Sequence, residues 1–467
     1  MSQQKLARLT AMESRALLDS RQISATSLLD AIIERHQETH DAINAVIALD
    51  LETARLAAIE ADRRFRQGRR LSPLDGIPIT VKDNIGVRGM VASWGSKLFA
   101  DRRCDQDDIA VERLRNAGAV IWGKTNTPEF ALAGTTENGL FGVTRNPRNR
   151  SLTPGGSSGG AAAALAAGVG ALALATDAGG SARRPAAYTG TVGFRPSKGR
   201  IPRGSIFPNT THDLQVLAPM ARTVGDARLL YSVLAGPDPR DRLSLMDSAP
   251  ARSRNTPLRV RVFGTVSEKP VEREITETLA AAADQLRELG HDVAETAAPF
   301  DLTRVERIWS VLISTFAAAF VRDHSEWRHF STVIQGLAKT GAQLSATDYR
   351  EALEDIQRLR RLIDDLFEDT DVLLCPTSPC FPWLADAPFP GEIDAKPATL
   401  RDTAIFLAFV NIAGLPAISL PAATRRASLP TGLQLVAGYG HDERLLDIAE
   451  ALEDRMGRPY ALPLQDL

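Results

Sequence analysis

Residues 153–185 read TPGGSSGGAAAALAAGVGALALATDAGGSARRP, a stretch made almost wholly of glycine, alanine and serine. Such a composition is typical of a flexible spacer. The order of the residues favours a folded segment instead. SGGAAAALAAGV has the alanine content of a helix, and ALALATDA alternates leucine with small residues as a strand does. We therefore predict a loop, a helix, a strand and a Gly-Gly-Ser turn within a packed core.

Helices and short strands also alternate on both sides of this stretch. Upstream, SATSLLDAIIERHQ has Ser24, Thr26 or Ser27 as an N-cap before apolar residues at helical spacing, and LDGIPITVKDNIG contains a β-branched strand. Downstream, LRVRVFGT and TDVLLCPTSP have strand patterns on either side of helical sequence. This alternation predicts an α/β protein whose sheet is largely covered.

Residues 301–370 interrupt the alternation because they are rich in helical pattern. The sequence leaves two interpretations open, a cap over a functional site or a layer of packing. No internal repeat and no Pro- or Ser-rich linker divides the chain. We therefore predict one domain over residues 1–467, with 301–370 as a helix-rich insert.

Composition narrows the class of protein. The 467 residues are 44% apolar and 24% charged, with a formal net charge of −2, so we expect a folded protein without an electrostatic reason to bind nucleic acid or an anionic membrane. The first twenty residues lack an apolar signal region, and the longest apolar run, 161–175, is too short to span a bilayer. We expect a cytoplasmic location.

The three cysteines predict neither disulfides nor a metal site. They are too few for a disulfide framework, and the C-x4-C pair Cys375 and Cys380 lacks histidines at ligand spacing. We therefore expect no metal and no other cofactor.

Two motifs compete for the glycine-rich loop. A phosphate-binding loop needs Lys followed by Ser or Thr after the glycines, and the sequence has neither there. The string GSSGG fits the G-x-S-x-G nucleophile elbow, which would make Ser158 the nucleophile. However, that elbow requires a strand directly before the serine, and NPRNRSLTPGG is a polar loop that contains proline. A lysine is an alternative base, because burial lowers its pKa. Lys82 follows the apolar strand 77–81, although this position alone does not distinguish a buried base from a solvated lysine.

Several longer motifs resemble the amidase signature family along nearly the whole chain. Ser157 and Ser181 are 24 positions apart, which is the family spacing. The resemblance implies a large mixed β-sheet core covered on both faces by helices. The matching motifs, in chain order, are DGIPITVKDN, AGAVIWGKTNTPEFA, TRNP, GGSSGG, TDAGGSARRPAAYTGTVGFRPSKGR, APMARTVGDARLL and NIAGLPAISLPA.

The resemblance also implies a Ser–cis-Ser–Lys triad. Ser181 would be the nucleophile, Ser157 the bridging serine after a cis peptide, and Lys82 the base. Structural support would come from Ser158, Asp177 and Arg183. The oxyanion hole would be formed by the backbone N–H groups of Ala178, Gly179, Gly180 and Ser181.

The substrate pocket is expected around Ala131, Ser157 and Arg184, with the insert near residues 301–345 on its other side. Arg184 departs from what the family leads us to expect, and it would favour a polar or acidic substrate. The implied activity is hydrolysis of a small carboxamide to carboxylate and ammonia by a stand-alone enzyme, with or without homodimer formation. The alternative is the glutaminase component of a tRNA-dependent amidotransferase, its A chain, which works inside a complex.

Overall fold

A mixed sheet of eleven strands forms the centre of the part of the chain that the structure describes. The structure is a computed structural model, and it describes residues 2–204, 209–245, 256–324, 327–424 and 429–460. The strands, in chain order, are β1 (Val46–Leu49), β2 (Pro78–Lys82), β3 (Val120–Thr125), β4 (Glu137–Asn138), β5 (Gly142–Val143), β6 (Leu172–Asp177), β7 (Val192–Arg195), β8 (Val216–Ala221), β9 (Arg259–Val262), β10 (Asp292–Glu295), β11 (Val372–Pro376), β12 (Glu392–Ile393), β13 (Lys396–Pro397), β14 (Ala417–Ala422) and β15 (Thr431–Ala437).

Strand order in the main sheet is β1-β3-β2-β6-β8-β7-β14-β15-β11-β9-β10, and two short hairpins, β4-β5 and β12-β13, lie outside it. The helices, in chain order, are α1 (Gln3–Ala7), α2 (Ala11–Asp19), α3 (Ala25–Ile43), α4 (Leu51–Gln67), α5 (Ile109–Asn116), α6 (Gly159–Ala166), α7 (Arg183–Thr189), α8 (Val224–Leu234), α9 (Arg273–Glu288), α10 (Leu302–Arg322), α11 (Thr332–Gly341), α12 (Ala346–Leu366), α13 (Ala408–Ala413) and α14 (Asp442–Arg455).

Both faces of the sheet are buried, as successive residues of β11 show. Val372 and Leu374 belong to one apolar core, while Leu373 and Cys375 belong to another on the opposite face. Successive side chains of a strand point to opposite faces, so helices must cover both. The predicted α/β fold, a large mixed sheet covered on both faces by helices, is confirmed.

The glycine-rich stretch folds as its internal order predicts. It forms a loop, the helix α6, the strand β6 and a turn that leads into α7. All eight residues of α6 and all six residues of β6 are buried. Small side chains are therefore required because this segment lies at the centre of the fold.

The N-cap of α3 and the insert also agree with the pattern of the sequence. Ser24 is the N-cap residue of α3, and its side chain accepts a hydrogen bond from Ser27 N. The 301–370 segment contains the three helices α10, α11 and α12.

The order of the strands brings the predicted site together. The strand β2 lies between β3 and β6 and runs parallel to both. The carboxyl ends of parallel strands meet at one edge of a sheet. Lys82 at the end of β2 and Asp177 at the end of β6 therefore lie at the same edge. Among the described helices, none has the length and apolar character needed to cross a bilayer.

Candidate active site

Lys82 ends a fully buried strand, and its side chain is completely enclosed. Its Nζ atom lies 2.8 Å from Ser157 Oγ, 2.9 Å from Ser158 Oγ and 3.1 Å from Thr176 Oγ1. All three partners are hydroxyl groups, which both donate and accept hydrogen bonds. The lysine nitrogen can therefore keep hydrogen-bond partners in its charged and its neutral form.

Burial lowers the pKa of Lys82 from 10.5 to about 7. Desolvation is the main cause, and the negative charges of Asp177 and Asp83 oppose it by stabilising the ammonium form. Near pH 7, Lys82 is therefore neutral in a large fraction of the protein molecules. A neutral amine can accept a proton from a hydroxyl group, which an ammonium group cannot do.

Ser157 and Ser181 differ sharply in their access to solvent. The Gly156–Ser157 peptide bond is cis, and the Ser157 side chain is completely buried. Between residues 153 and 197, Gly179 and Ser181 alone are not buried. A molecule arriving from solvent would therefore meet Ser181 first, with Ser157 and Lys82 behind it.

Ser181 is held beside the Ser157 loop by its main chain. The N–H group of Ser158 donates to the carbonyl oxygen of Ser181 at 3.1 Å. The Ser181 hydroxyl has no hydrogen-bond partner among the described residues, so in this structure it is not joined to Ser157 Oγ. Hydrogen bonds of catalytic groups often tighten only when substrate is bound.

The four amides predicted for the oxyanion hole fall into two groups. Gly180 N donates to Asp177 Oδ1 at 2.8 Å, so this amide is directed into the protein. The other three amides have no acceptor within the described part of the chain, and they belong to Ala178, Gly179 and Ser181. Gly180 has a φ of +98°, a conformation that side-chain-bearing residues rarely adopt. This turn aims the neighbouring amides away from the Asp177 carboxylate.

The Asp177 carboxylate holds this turn in place through hydrogen bonds. Its carboxylate accepts hydrogen bonds from Ala182 N and from two nitrogens of Arg183, and all of these groups are buried. Burial by itself would raise the pKa of Asp177, but the guanidinium groups of Arg183 and Arg195 outweigh it and hold that pKa well below its usual range. Asp177 is therefore an anion near pH 7, and its hydrogen bonds support the loop.

A side chain of the insert packs against the glycine loop. A Cβ atom on Gly179 would lie 2.6 Å from the ring of Trp309, which is part of α10. A Cβ atom on Gly180 would lie 2.5 Å from the Leu407 side chain. The glycines are needed because these two side chains approach the loop so closely.

The predicted pocket residue Ala131 lies in a loop anchored to the same insert. Ala131 is partly exposed and has a φ of +58°. Its neighbour Phe130 contacts the ring of Phe320 in α10, with ring centroids 4.9 Å apart. The Ala131 loop and the insert therefore meet beside the serines.

Arg184, the other predicted pocket residue, is 7% exposed. It lies against the same region, because a Cβ atom on Gly134 would be 2.7 Å from its Nη1 atom.

Sequence reasoning missed several residues that complete the site. Thr176 binds Lys82, and both Asn411 and Gln434 hold Arg183 from distant strands and helices. Trp309 was also missed. Thr176 could have been found from its place beside Asp177 in the predicted strand, whereas the other three come from far along the chain. Within the described residues, no cluster of three His, Cys, Asp or Glu side chains could hold a metal ion.

A model of the Amidase family matches residues 27–446, which is most of the chain. The chain belongs to the amidase family. The resemblance to amidase signature enzymes is thereby confirmed, and the protein is a hydrolase of this class.

Known proteins of different activities resemble this amidase over almost its full length. The A chain of the glutamyl-tRNA(Gln) amidotransferase of Alkaliphilus metalliredigens (strain QYMF) is 31% identical, and the match covers 99% of each chain. The crystal structure of a bacterial aryl acylamidase of the amidase signature family is 28% identical, with a TM-score of 0.88 over 98% of this chain and 99% of that chain. The structure of 6-aminohexanoate cyclic dimer hydrolase with substrate is 28% identical, with a TM-score of 0.84 over 98% of both chains.

Proposed function

We propose that this protein hydrolyses a carboxamide to a carboxylate and ammonia through an acyl-enzyme on Ser181. The observation that carries the proposal is the buried Lys82 nitrogen, which lies 2.8 Å from Ser157 Oγ behind the accessible Ser181. A lowered lysine pKa of about 7 supports the role of Lys82 as the base. None of the seven histidines hydrogen-bonds to Lys82, Ser157 or Ser181 in the described part of the chain, so no histidine competes for that role.

Acylation proceeds along the three side chains. Ser181 Oγ turns toward Ser157 and transfers its proton to Ser157 Oγ as it attacks the amide carbon, and Ser157 transfers its own proton to neutral Lys82. The same path returns one proton to the amide nitrogen. The C–N bond then breaks, ammonia leaves, and the acyl group stays on Ser181 Oγ.

Deacylation repeats the sequence with water as the nucleophile. Water loses a proton to Ser157 and Lys82, its oxygen bonds to the acyl carbon, and Ser181 Oγ recovers a proton as it leaves. The net reaction consumes one amide and one water and yields one carboxylic acid and one ammonia. These steps require no metal or organic cofactor.

The oxyanion that forms twice in this cycle would bind to the amides of Ala178, Gly179 and Ser181. Gly180 is left out of the donor set because its amide binds Asp177 Oδ1. One such donor typically contributes about 2.7–4 kcal/mol to transition-state stabilisation. The shape of the loop is therefore as important to the rate as the hydroxyl that it carries.

The insert at 301–370 would act as the cap of the pocket within a single domain. Contact of Trp309 with Gly179 supports this role, as does contact of Phe320 with the Ala131 loop. Substrate would enter between the insert and the loop and meet Ser181. The three cysteines are free and buried, which fits the reducing cytoplasmic setting that the sequence predicts.

A second candidate function has a specific observation in its favour. Curated relatives at 31–32% identity over 94–99% of the chain are the A chains of glutamyl-tRNA(Gln) amidotransferases. In that case the amide would be the glutamine side chain, and the ammonia would pass to partner proteins that hold a tRNA. The chemistry at Ser181 would be the same, so the two candidates differ in the acceptor of ammonia and in the need for partners.

Ammonia release by the purified chain tests both candidates. Glutamine and a panel of small amides are offered to the wild type and to Ser181→Ala, with a serine-directed fluorophosphonate used to count labelled sites. Turnover of an amide by the chain alone, with one label per chain on Ser181, supports the stand-alone hydrolase. Turnover of glutamine only after the other amidotransferase components are added supports the second candidate. Equal turnover by Ser181→Ala would overturn both.

A further inference from the structure

Two consecutive arginines follow the nucleophile loop, and they have opposite surroundings. Arg183 is completely buried and saturated with partners, because it binds Asp177, Gln434 Oε1 and Asn411 Oδ1. Arg184 is 7% exposed, yet its guanidinium group forms no hydrogen bond or ion pair with any described residue, and its Nε atom is a buried donor without an acceptor. A buried charge without a partner is strongly disfavoured unless a ligand supplies one.

Among the residues that the structure describes, no neighbouring side chain supplies the missing negative charge. Tyr188 and Cys380 are the groups that act most strongly on Arg184, but burial raises the pKa of both, so each is neutral near pH 7. The Asp177 carboxylate is already engaged by Arg183. An arginine side chain does not escape burial by losing its proton, because its pKa is far above neutral even when desolvation lowers it.

Arg184 follows the nucleophile Ser181 by about one helical turn. Arg184 N donates to Gly180 O at 2.8 Å, which is the i to i−4 bond of a helical turn. Residues three apart on such a turn are neighbours, with Cβ atoms roughly 5–6 Å apart, so Ser181 and Arg184 share one side of it. A substrate group bound to Arg184 can therefore lie on the same side of the turn as an acyl group on Ser181.

The loop that contains Gly134 and Thr135 lies against Arg184. A Cβ atom on Gly134 would lie 2.7 Å from Arg184 Nη1 and 3.5 Å from Leu400, so Gly134 lies directly on the guanidinium group. A Cβ atom on Gly156 would lie 2.2 Å from Thr135 O, so the same loop also covers the residue before Ser157. The segment of Gly134 and Thr135 therefore contacts both the Arg184 guanidinium group and the residue before Ser157.

We propose that Arg184 binds a carboxylate of the substrate, and that the substrate is a monoamide of a short dicarboxylic acid. This inference rests on the proposed amide hydrolysis at Ser181. The planar guanidinium group forms two parallel hydrogen bonds to a carboxylate, which fixes the direction of the substrate as well as its charge. With the carboxylate on Arg184, the amide at the other end of a short chain reaches Ser181. Glutamine has the same pair of groups with an added amine.

The test compares matched substrates in matched variants. Succinamate carries the carboxylate, and butyramide replaces it with a methyl group. We expect the wild type to prefer succinamate in kcat/KM by about 100-fold, as a charged, paired hydrogen-bonding group would give. In Arg184→Gln this preference should fall below about fivefold, and Arg184→Lys should retain an intermediate preference because it keeps the charge without the planar fork. A series from malonamate to adipamate locates the best chain length.

Two further readouts separate the failure of this inference from that of the proposed function. Succinate, the reaction product, should raise the melting temperature of the wild type and not that of Arg184→Gln, which also shows whether the variant is folded. Fluorophosphonate labelling of Ser181 reports the nucleophile without any amide. If Ser181 of the wild type is labelled and butyramide is hydrolysed as well as or better than succinamate, the carboxylate role of Arg184 is wrong and the proposed hydrolase activity is retained. Absence of both labelling and turnover would overturn the hydrolase and this inference with it.

Discussion

Lys82 and Lys124 lie on the neighbouring strands β2 and β3, and both are completely buried. Their nitrogens meet different oxygens. Lys82 contacts the hydroxyls of Ser157, Ser158 and Thr176, whereas Lys124 donates to main-chain carbonyls, including Ile85 O at 2.7 Å. Hydroxyls donate and accept, but carbonyls only accept. The first environment allows a lysine to gain and lose a proton, and the second favours a lysine that keeps it.

The register of the strands explains how two lysines so close together serve different purposes. Val81 pairs with Lys124, and Lys82 pairs with Thr125, so the two lysine side chains point to opposite faces of the sheet. Lys124 also donates to Asp83 O, the residue directly after Lys82. It therefore holds the chain that leaves β2. Burial lowers the pKa of both lysines, so their partners, rather than burial alone, distinguish the proposed base Lys82 from Lys124.

The largest expected effect is on catalysis. Lys82→Met should lower kcat/KM for the best amide by about 10³-fold, since general-base catalysis typically contributes 10²–10⁴-fold. Lys124→Met is the matched control, because it removes an equally buried ammonium group from the neighbouring strand. Ammonia release, measured where both variants are folded, should remain within about threefold of wild type in Lys124→Met. Equal losses in the two variants would remove the distinction drawn between the lysines.

A second expected effect is on stability, and it belongs to Lys124. Removal of its nitrogen leaves the carbonyls of Asp83 and Ile85 buried without a donor, and each unsatisfied group costs about 1–3 kcal/mol. We expect Lys124→Met to lower the free energy of unfolding in urea by about 3 kcal/mol at pH 10, where the cost of burying a lysine charge is small because the unfolded chain is close to losing that proton as well. A variant as stable as the wild type would show that these hydrogen bonds do not hold the loop.

The third effect is a smaller change in stability, and in Lys82→Met it is a gain at pH 7 rather than the loss expected in Lys124→Met. The folded pKa of Lys82 is about 7, below its ordinary value of 10.5, so between these values the unfolded chain binds a proton that the folded chain does not. Wild-type stability should therefore rise from pH 7 toward pH 10. Lys82→Met removes the free-energy cost of burying the lysine charge, which is about 5 kcal/mol for the full pKa shift. The variant also loses three hydrogen bonds. We expect the variant to be more stable by about 1–2 kcal/mol at pH 7. Toward pH 10 the cost of burying the charge disappears while the loss of three hydrogen bonds remains, so the wild type should become the more stable by about 2 kcal/mol.

Urea unfolding of Lys82→Met and wild type over this pH range checks the third effect. A constant difference in the free energy of unfolding would mean that Lys82 titrates alike in the folded and unfolded chains. A variant less stable than the wild type at pH 7 would mean that the three hydroxyl contacts outweigh the burden of burying the charge.

The family motifs, rather than local pattern alone, predict which residues belong to the site. The apolar strand before Lys82 is consistent with its burial but does not by itself predict it, and the glycines around residue 180 predict a turn that residues with side chains could not form. Contacts between segments that are far apart in sequence could not be predicted. Trp309 lies about 130 positions beyond Gly179, and nothing in its local sequence indicates that contact.

Two other features depended on three-dimensional detail. Gly180 N was expected among the oxyanion donors, but its positive φ accompanies a hydrogen bond to Asp177 Oδ1, which sequence spacing cannot distinguish from an outward amide. The partners of Lys124, which lies within β3, cannot be predicted from its local sequence. Only the structure shows its nitrogen among carbonyls of the next loop.

The pH dependence of Ser181 labelling shows whether neutral Lys82 activates Ser181 through Ser157. The rate of fluorophosphonate labelling should rise about tenfold per pH unit below pH 7 and level off above it, because the pKa of Lys82 is about 7. Lys82→Met should label slowly and without this inflection, while Lys124→Met should follow the wild type. An unchanged inflection in Lys82→Met would contradict this role of Lys82 and assign the activating base to another group.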